Sequence, residues 1–246
     1  MGQAGEAVLE ASGVSRVYDG VPALDGFDLT LAAGRCGLLV GHNGSGKTTA
    51  VLCLTGRVRP TAGRVRVCGH RVTGVEEPEA RALVSLATDA PVFYPDLTVR
   101  EHVELVAVAH GQGRGVGARV DELLEELDLA HRAGFLPHQL SAGMRQKTQL
   151  ACALIRPFRL LVLDEPALRL DGAAQQWLWG RLASLKAQGV ALLVTSHDPP
   201  AVRELVDEVV VLEDGVVAAR GDYDQALASD AAARGGFGPS EGYEPS

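Results

Sequence analysis

Apolar positions recur along this chain at two different spacings. Arg64-Val65-Arg66-Val67-Cys68 alternates, which places valines inward and arginines outward on a strand. Ala7–Ser12 and the segment around Arg16–Tyr18 are also strand-like, and Asp19-Gly20 after them is a turn signal. The short apolar runs Cys36–Val40, Leu83–Ala87, Leu160–Leu163 and Val190–Thr195 read as buried strands. Val209–Leu212 and Val216–Ala219 flank Glu213-Asp214-Gly215, a hairpin turn. Elsewhere the spacing is helical. Val99, Val103 and Val106 follow a capping box at Thr98 and Glu101, and Val120, Leu123, Leu124 and Leu127 form a stripe among acidic residues. Met144, Thr148, Ala151 and Ile155 share a face of a helix that Pro157 ends. Ala174, Leu178, Leu182 and Leu185 share another, in a helix closed by Gly189. The pattern predicts an α/β fold whose region from Pro91 to about Ile155 is a helical insertion in the core, with a glycine-rich joint at Gly111–Gly117. After about Asp222 it predicts one short helix, Asp224–Ala228, and a disordered tail from Gly235 to Ser246.

Composition narrows the class without choosing a function. With 246 residues, 46% of them hydrophobic and 22% charged, the chain can bury a core of its own. No apolar stretch reaches the length of a membrane span, and Met1–Glu10 lacks the basic and apolar regions of a signal peptide, so a cytoplasmic protein is expected. The four cysteines are scattered, with no C-x-x-C pair, which argues against a zinc site or a disulfide framework. A net charge of −8 without a basic block gives no reason to expect a nucleic-acid partner.

The chemistry is concentrated in a few stretches. Gly41-His42-Asn43-Gly44-Ser45-Gly46-Lys47-Thr48 follows an apolar strand and opens a helix that Gly56 stops. Glycines let successive backbone N–H groups point inward, and the helix dipole favours an anion there. Lys47 is placed to meet the β- and γ-phosphates of a nucleotide, and Thr48 to enter the shell of Mg²⁺. A merely flexible turn does not require strand, lysine, hydroxyl and helix together. Asp164-Glu165 end a second buried strand, where ligands gather in α/β proteins. Asp164 suits Mg²⁺, and Glu165 an attacking water. In isolation the pair is equally a loop feature; beside a phosphate loop the functional reading prevails. Ser141 is a good N-cap, and the same small residues before a helix are also compatible with a second anion site. Tyr18 is compatible with a half-buried strand position or with stacking on adenine. His197 differs from the other histidines in ending a core strand within Ser196-His197-Asp198.

Taken together, these stretches resemble the nucleotide-binding subunit of an ATP-binding cassette (ABC) transporter, from Tyr18 to about Gly221. Leu140-Ser141-Ala142-Gly143-Met144 is similar to the family's LSGGQ signature, and Asp164-Glu165-Pro166 and Ser196-His197-Asp198 fall in the order of its Walker B and switch-histidine elements. The resemblance implies a P-loop NTPase (RecA-like) core with a mixed, mainly parallel sheet, an N-terminal antiparallel β region and an inserted helical subdomain at about 90–156. The nucleotide-binding domain would occupy 1–222, with 223–246 a short helix and tail. It also implies ATP and Mg²⁺ as ligands. Tyr18 would stack on adenine, Gly41 to Thr49 would cradle the phosphates, and Thr48 and Asp164 would serve the metal. Glu165 would act as base and His197 would contact the γ-phosphate. Ser141 and Gly143 would reach ATP held by a second ABC subunit, homo- or heterodimeric.

Three positions depart from that family's pattern. Asp89 stands where glutamine is usual, and as a hard oxygen donor it is expected to keep a metal role. The loop Ala167-Leu168-Arg169-Leu170-Asp171 lacks the usual threonine and glycine but keeps Asp171, which would contact the dimer partner. Met144 replaces the signature's last glutamine. The segment Tyr94–Glu101 resembles exporters more than importers. The function implied is ATP hydrolysis by a subunit held on the inner face of the membrane by a separately encoded permease. A regulatory half of a heterodimer and a soluble ABC ATPase without a transport role are the alternatives.

Overall fold

The computed structural model of the chain describes residues 6–72, 78–113, 115–196 and 199–237. The first half runs β1 (Ala7–Tyr18), β2 (Val21–Ala32), β3 (Cys36–Val40), α1 (Lys47–Leu54), β4 (Ala62–Val67), β5 (His70–Arg71), α2 (Pro78–Ala82), β6 (Val84–Ala87), α3 (Val99–Ala109) and α4 (Val116–Glu126). The second half runs α5 (Ala142–Leu154), β7 (Leu160–Asp164), α6 (Gly172–Ala187), β8 (Ala191–Thr195), β9 (Glu208–Glu213), β10 (Val216–Gly221), α7 (Tyr223–Leu227) and α8 (Asp230–Arg234). No helix among the described residues is long and apolar enough to cross a membrane.

Two sheets form. An antiparallel one has the order β2-β1-β4-β5, and a six-stranded one has the order β10-β9-β3-β8-β7-β6, parallel except where β10 meets β9. The antiparallel sheet obeys the alternation read in the sequence: Val65 and Val67 are buried while Arg64 and Arg66 are exposed. The two strand-like pieces of the N-terminus are one strand, β1, interrupted by register shifts against β2.

Strands β3, β7 and β8 are buried at every residue because both faces are covered. Leu39, Val162 and Leu193 point into a cluster with Leu9, Phe27, Leu31 and Val51 from the antiparallel sheet and α1. Their neighbours Leu38, Leu161, Leu163 and Val194 point the other way. That second cluster takes in Val103 of α3, Leu123 and Leu124 of α4, Leu150 of α5 and Leu178 of α6. The helical stripes read in the sequence are thus the faces that meet the sheet. Val106 and Met144 are exceptions, since both are only half-buried; on α3 His102 and Ala107 take the inner positions instead. His102 uses both ring nitrogens: Nδ1 donates to Thr98 O at 2.8 Å and Nε2 accepts from Tyr94 N–H at 2.9 Å. This fixes the segment ahead of α3.

Beyond residue 222 two short helices form where the sequence suggests one. Asp222 and Ser229 cap them, accepting from Gln225 N–H and Ala232 N–H. Phe237 N–H donates to Ala232 O at 2.8 Å and its ring packs on the larger cluster. The rest of the tail expected to be disordered, residues 238–246, lies outside the described residues.

Candidate active site

Strand β3 delivers the chain into Gly41–Gly46, and distant segments shape that turn. Ser45 is fully buried, its N–H donating to His42 O at 3.1 Å while its carbonyl accepts from Gly215 N–H at 3.0 Å. Gly215 in turn accepts from Asp25 N–H at 2.8 Å, so the β9–β10 hairpin and the start of β2 back the loop together. Gly46 has a φ of 103°, and a Cβ there would lie 2.5 Å from Ala23 O, so only glycine fits. Helix α1 then starts at Lys47 with no side-chain cap and no acid in its first turn. Its first N–H groups and positive dipole end therefore remain available to an anion.

Lys47 Nζ donates to Gly41 O at 2.7 Å and to His42 O at 3.0 Å, which holds the ammonium over the loop. Burial pulls its pKa down, opposed by the charges of Glu165 and Asp164. Asp164 ends β7 and is 4% exposed. Its Oδ2 accepts from Thr48 Oγ1 at 3.4 Å and its Oδ1 from Thr195 Oγ1 at 2.6 Å. Burial pushes the Asp164 carboxyl up, the Thr195 bond pulls it back, and the charges of Glu165 and Asp89 push it up again. Glu165 sits in the left-handed region at φ 50°, its N–H donating to the same Thr195 oxygen at 3.0 Å. Thr195 thus orients both acids.

Sequence reasoning missed Thr195 as a site residue. The signal is its position at the end of a buried strand, which register pairs with Asp164 across β7 and β8. Thr195→Val would leave the Asp164 oxygen and the Glu165 N–H without their buried partner. A loss of about 1–3 kcal/mol is expected, read as a fall in Tm of roughly 3–10 °C by calorimetry on the purified protein.

One cavity of about 250 Å³ is lined by Ala23, Asn43, Gly44, Gly46, Lys47, Thr48, Thr49, Asp89, Asp164 and Glu165. Most of the residues singled out in the sequence therefore converge. Tyr18, Gly41, His42, Ser45, Ser141, Gly143 and Asp171 do not line it. Tyr18 is 38% exposed at the β1–β2 turn, with the Arg16 guanidinium 4.4 Å from its ring centroid. Ser141 caps α5, accepting from Met144 N–H at 3.2 Å, and Asp171 caps α6, accepting from Ala174 N–H at 2.8 Å. His197 lies outside the described residues.

The donor set fits a magnesium–polyphosphate complex. A hydroxyl and carboxylates are hard oxygen donors, and Mg²⁺ takes only one or two protein carboxylates and completes its shell from phosphate and water. Among the described residues, no group of three or more His, Cys, Asp or Glu side chains is placed to hold a metal ion by itself.

A protein-family model described as ABC transporter matches residues 24–168. The daunorubicin resistance ATP-binding protein of Streptomyces coeruleorubidus is 35% identical over 221 residues, covering 89% of this chain and 70% of that protein. The Nod factor export ATP-binding protein of Paraburkholderia xenovorans is 34% identical over 226 residues, covering 92% of this chain and 74% of its own length. A solved ATP-binding subunit of an ABC transporter superposes with a TM-score of 0.82 at 32% identity, over 88% of this chain and 90% of that one.

Proposed function

The chain belongs to the ABC transporter family, and from that premise we propose that it hydrolyses Mg²⁺-ATP in the cleft between β3, β7 and α1 to power a separately encoded membrane exporter. The observation that carries the reading is the convergence in one cavity of an uncapped helix N-terminus with Lys47, Thr48, Asp164 and Glu165. The export direction takes its support from the relatives named for daunorubicin resistance and Nod factor export. Nucleotide-binding subunits of such transporters work with membrane partners and as dimers; which permease and which second subunit serve here is part of this proposal. The proposed location is the inner face of the membrane, reached through the permease.

The chain's own groups divide the work. Backbone N–H groups of Gly44–Thr49 and the α1 dipole hold the phosphates, and Lys47 places its charge at the β/γ junction. Thr48 and Asp164 would hold the metal, with Asp89 as a further oxygen donor. When bound, Mg²⁺ neutralises charge on the β- and γ-oxygens. Glu165 accepts a proton from the attacking water. Tyr18 offers an exposed ring for adenine, and His197 is assigned to the γ-phosphate. The signature residues Ser141 and Gly143, with Asp171, are exposed or half-exposed outside the cavity. In this proposal they serve the nucleotide on the opposite subunit.

Equilibrium titration with ATP, with and without Mg²⁺, tests the reading. Lys47→Ala should weaken affinity by about ten- to a hundredfold, because the phosphates lose a charge-assisted partner. A wild-type chain that binds no ATP at millimolar concentration would refute the assignment.

A further inference from the structure

Asp89 and Arg169 are two of the residues at which the sequence departs from its family's pattern, and the structure puts them in contact. Arg169 Nη1 donates to Asp89 Oδ1 at 2.6 Å and to the Asp89 carbonyl at 2.7 Å. One guanidinium nitrogen thus fixes both the carboxylate and the peptide of a residue that lines the ATP cleft. Asp89 Oδ2 accepts no hydrogen bond among the described residues.

The arginine is itself anchored through its loop. A Cβ on Gly143 would lie 2.8 Å from Arg169 O, so the first turn of α5 abuts the loop closely. Gln146 Nε2 donates to Pro166 O at 3.3 Å, and Gln175 Nε2 donates to Ala167 O and Leu170 O, each at 3.2 Å. From the other side, Gln149 Nε2 donates to Thr88 Oγ1 at 2.9 Å. The two loops that meet at this ion pair are therefore both tied to α5.

Asp89, Asp164 and Glu165 give the cleft three carboxylates, while its proposed occupant is a polyphosphate. Lys47 is the one lysine or arginine among the described residues that line the cleft. A third unneutralised carboxylate would repel the phosphates; one neutralised from behind supplies an oxygen without net charge. We propose that Arg169 is a positioning residue for Mg²⁺-ATP: it cancels the charge of Asp89 and holds its second oxygen in the cleft as a metal-directed donor. This rests on the assignment of the cleft as an ATP site.

The test is equilibrium binding of a fluorescent ATP analogue to the purified full-length chain across a Mg²⁺ titration. The proteins are wild type, Arg169→Ala, Asp89→Asn and the double variant, each checked by thermal melting. Arg169→Ala should lower affinity about five- to tenfold and raise the Mg²⁺ midpoint, and Arg169→Lys should recover much of the loss. In the Asp89→Asn background the same Arg169→Ala change should have little effect, because no charge is left to neutralise. Should Arg169→Ala fail to fold, Arg169→Gln is scored in the same cycle. Equal losses in both backgrounds, or a Mg²⁺ midpoint that does not move, overturn the pairing while leaving the ATP site intact. A wild-type chain without ATP binding removes the ATP site itself, and this inference with it.

Discussion

Glu165→Gln is expected to lower the single-turnover rate of ATP hydrolysis by roughly 10²–10⁴-fold while leaving ATP affinity nearly unchanged. The amide keeps the shape of the carboxylate and loses its ability to take a proton. The backbone around it is held independently of that charge: Glu165 N–H stays on Thr195 Oγ1, and Gln146 stays on the carbonyl of the following proline. A selective loss of rate without loss of binding marks an interaction made in the transition state. Quench-flow hydrolysis with saturating Mg²⁺-ATP, alongside nucleotide titration, measures both quantities. Retention of more than a tenth of the wild-type rate would show that another group activates the water.

Gly46→Ala should act on the other half of the site, and on binding rather than rate. The added methyl would lie 2.5 Å from Ala23 O, at a φ of 103° that alanine rarely adopts. The backbone term alone costs about 1–3 kcal/mol, and the carbonyl cannot yield without moving β2. Relief by shifting the loop tilts the first turn of α1 and spoils the aim of its N–H groups. A loss of ATP affinity of at least about a hundredfold is expected, together with a lower denaturation midpoint. Urea unfolding and nucleotide titration separate the two effects. Affinity within tenfold of wild type would show that the loop shape is not set by its contact with β2.

Features confined to one stretch of chain are legible in the sequence itself. Gly41–Thr48 announces itself because strand, loop and helix are contiguous. The runs that form β3, β7 and β8 are apolar along nearly their whole length because both of their faces are covered. The N-caps at Thr98 and Ser141 follow from residues three or four apart. Relations that join distant parts of the chain are not legible in this way. Thr195 meets Asp164 only through strand register. The hairpin turn at Glu213–Gly215 reads as an ordinary connection, yet its glycine supports Ser45. Asp89 and Arg169 look like unrelated oddities until the Arg169 loop after β7 is laid against the end of β6. Asp171 illustrates the opposite case, since its local role as the cap of α6 accounts for its backbone hydrogen bond within this chain.

The division of the apolar core has a thermodynamic meaning. Alternate residues of β3, β7 and β8 enter different clusters, so neither cluster can loosen without exposing the strands that the other also needs. Their amide protons should consequently be the slowest in the molecule to exchange with solvent, released only by global unfolding. The phosphate loop leaves the end of β3, the acidic pair the end of β7, and Thr195 the end of β8. The groups that would meet a nucleotide therefore sit at the ends of the strands whose register the two clusters hold together.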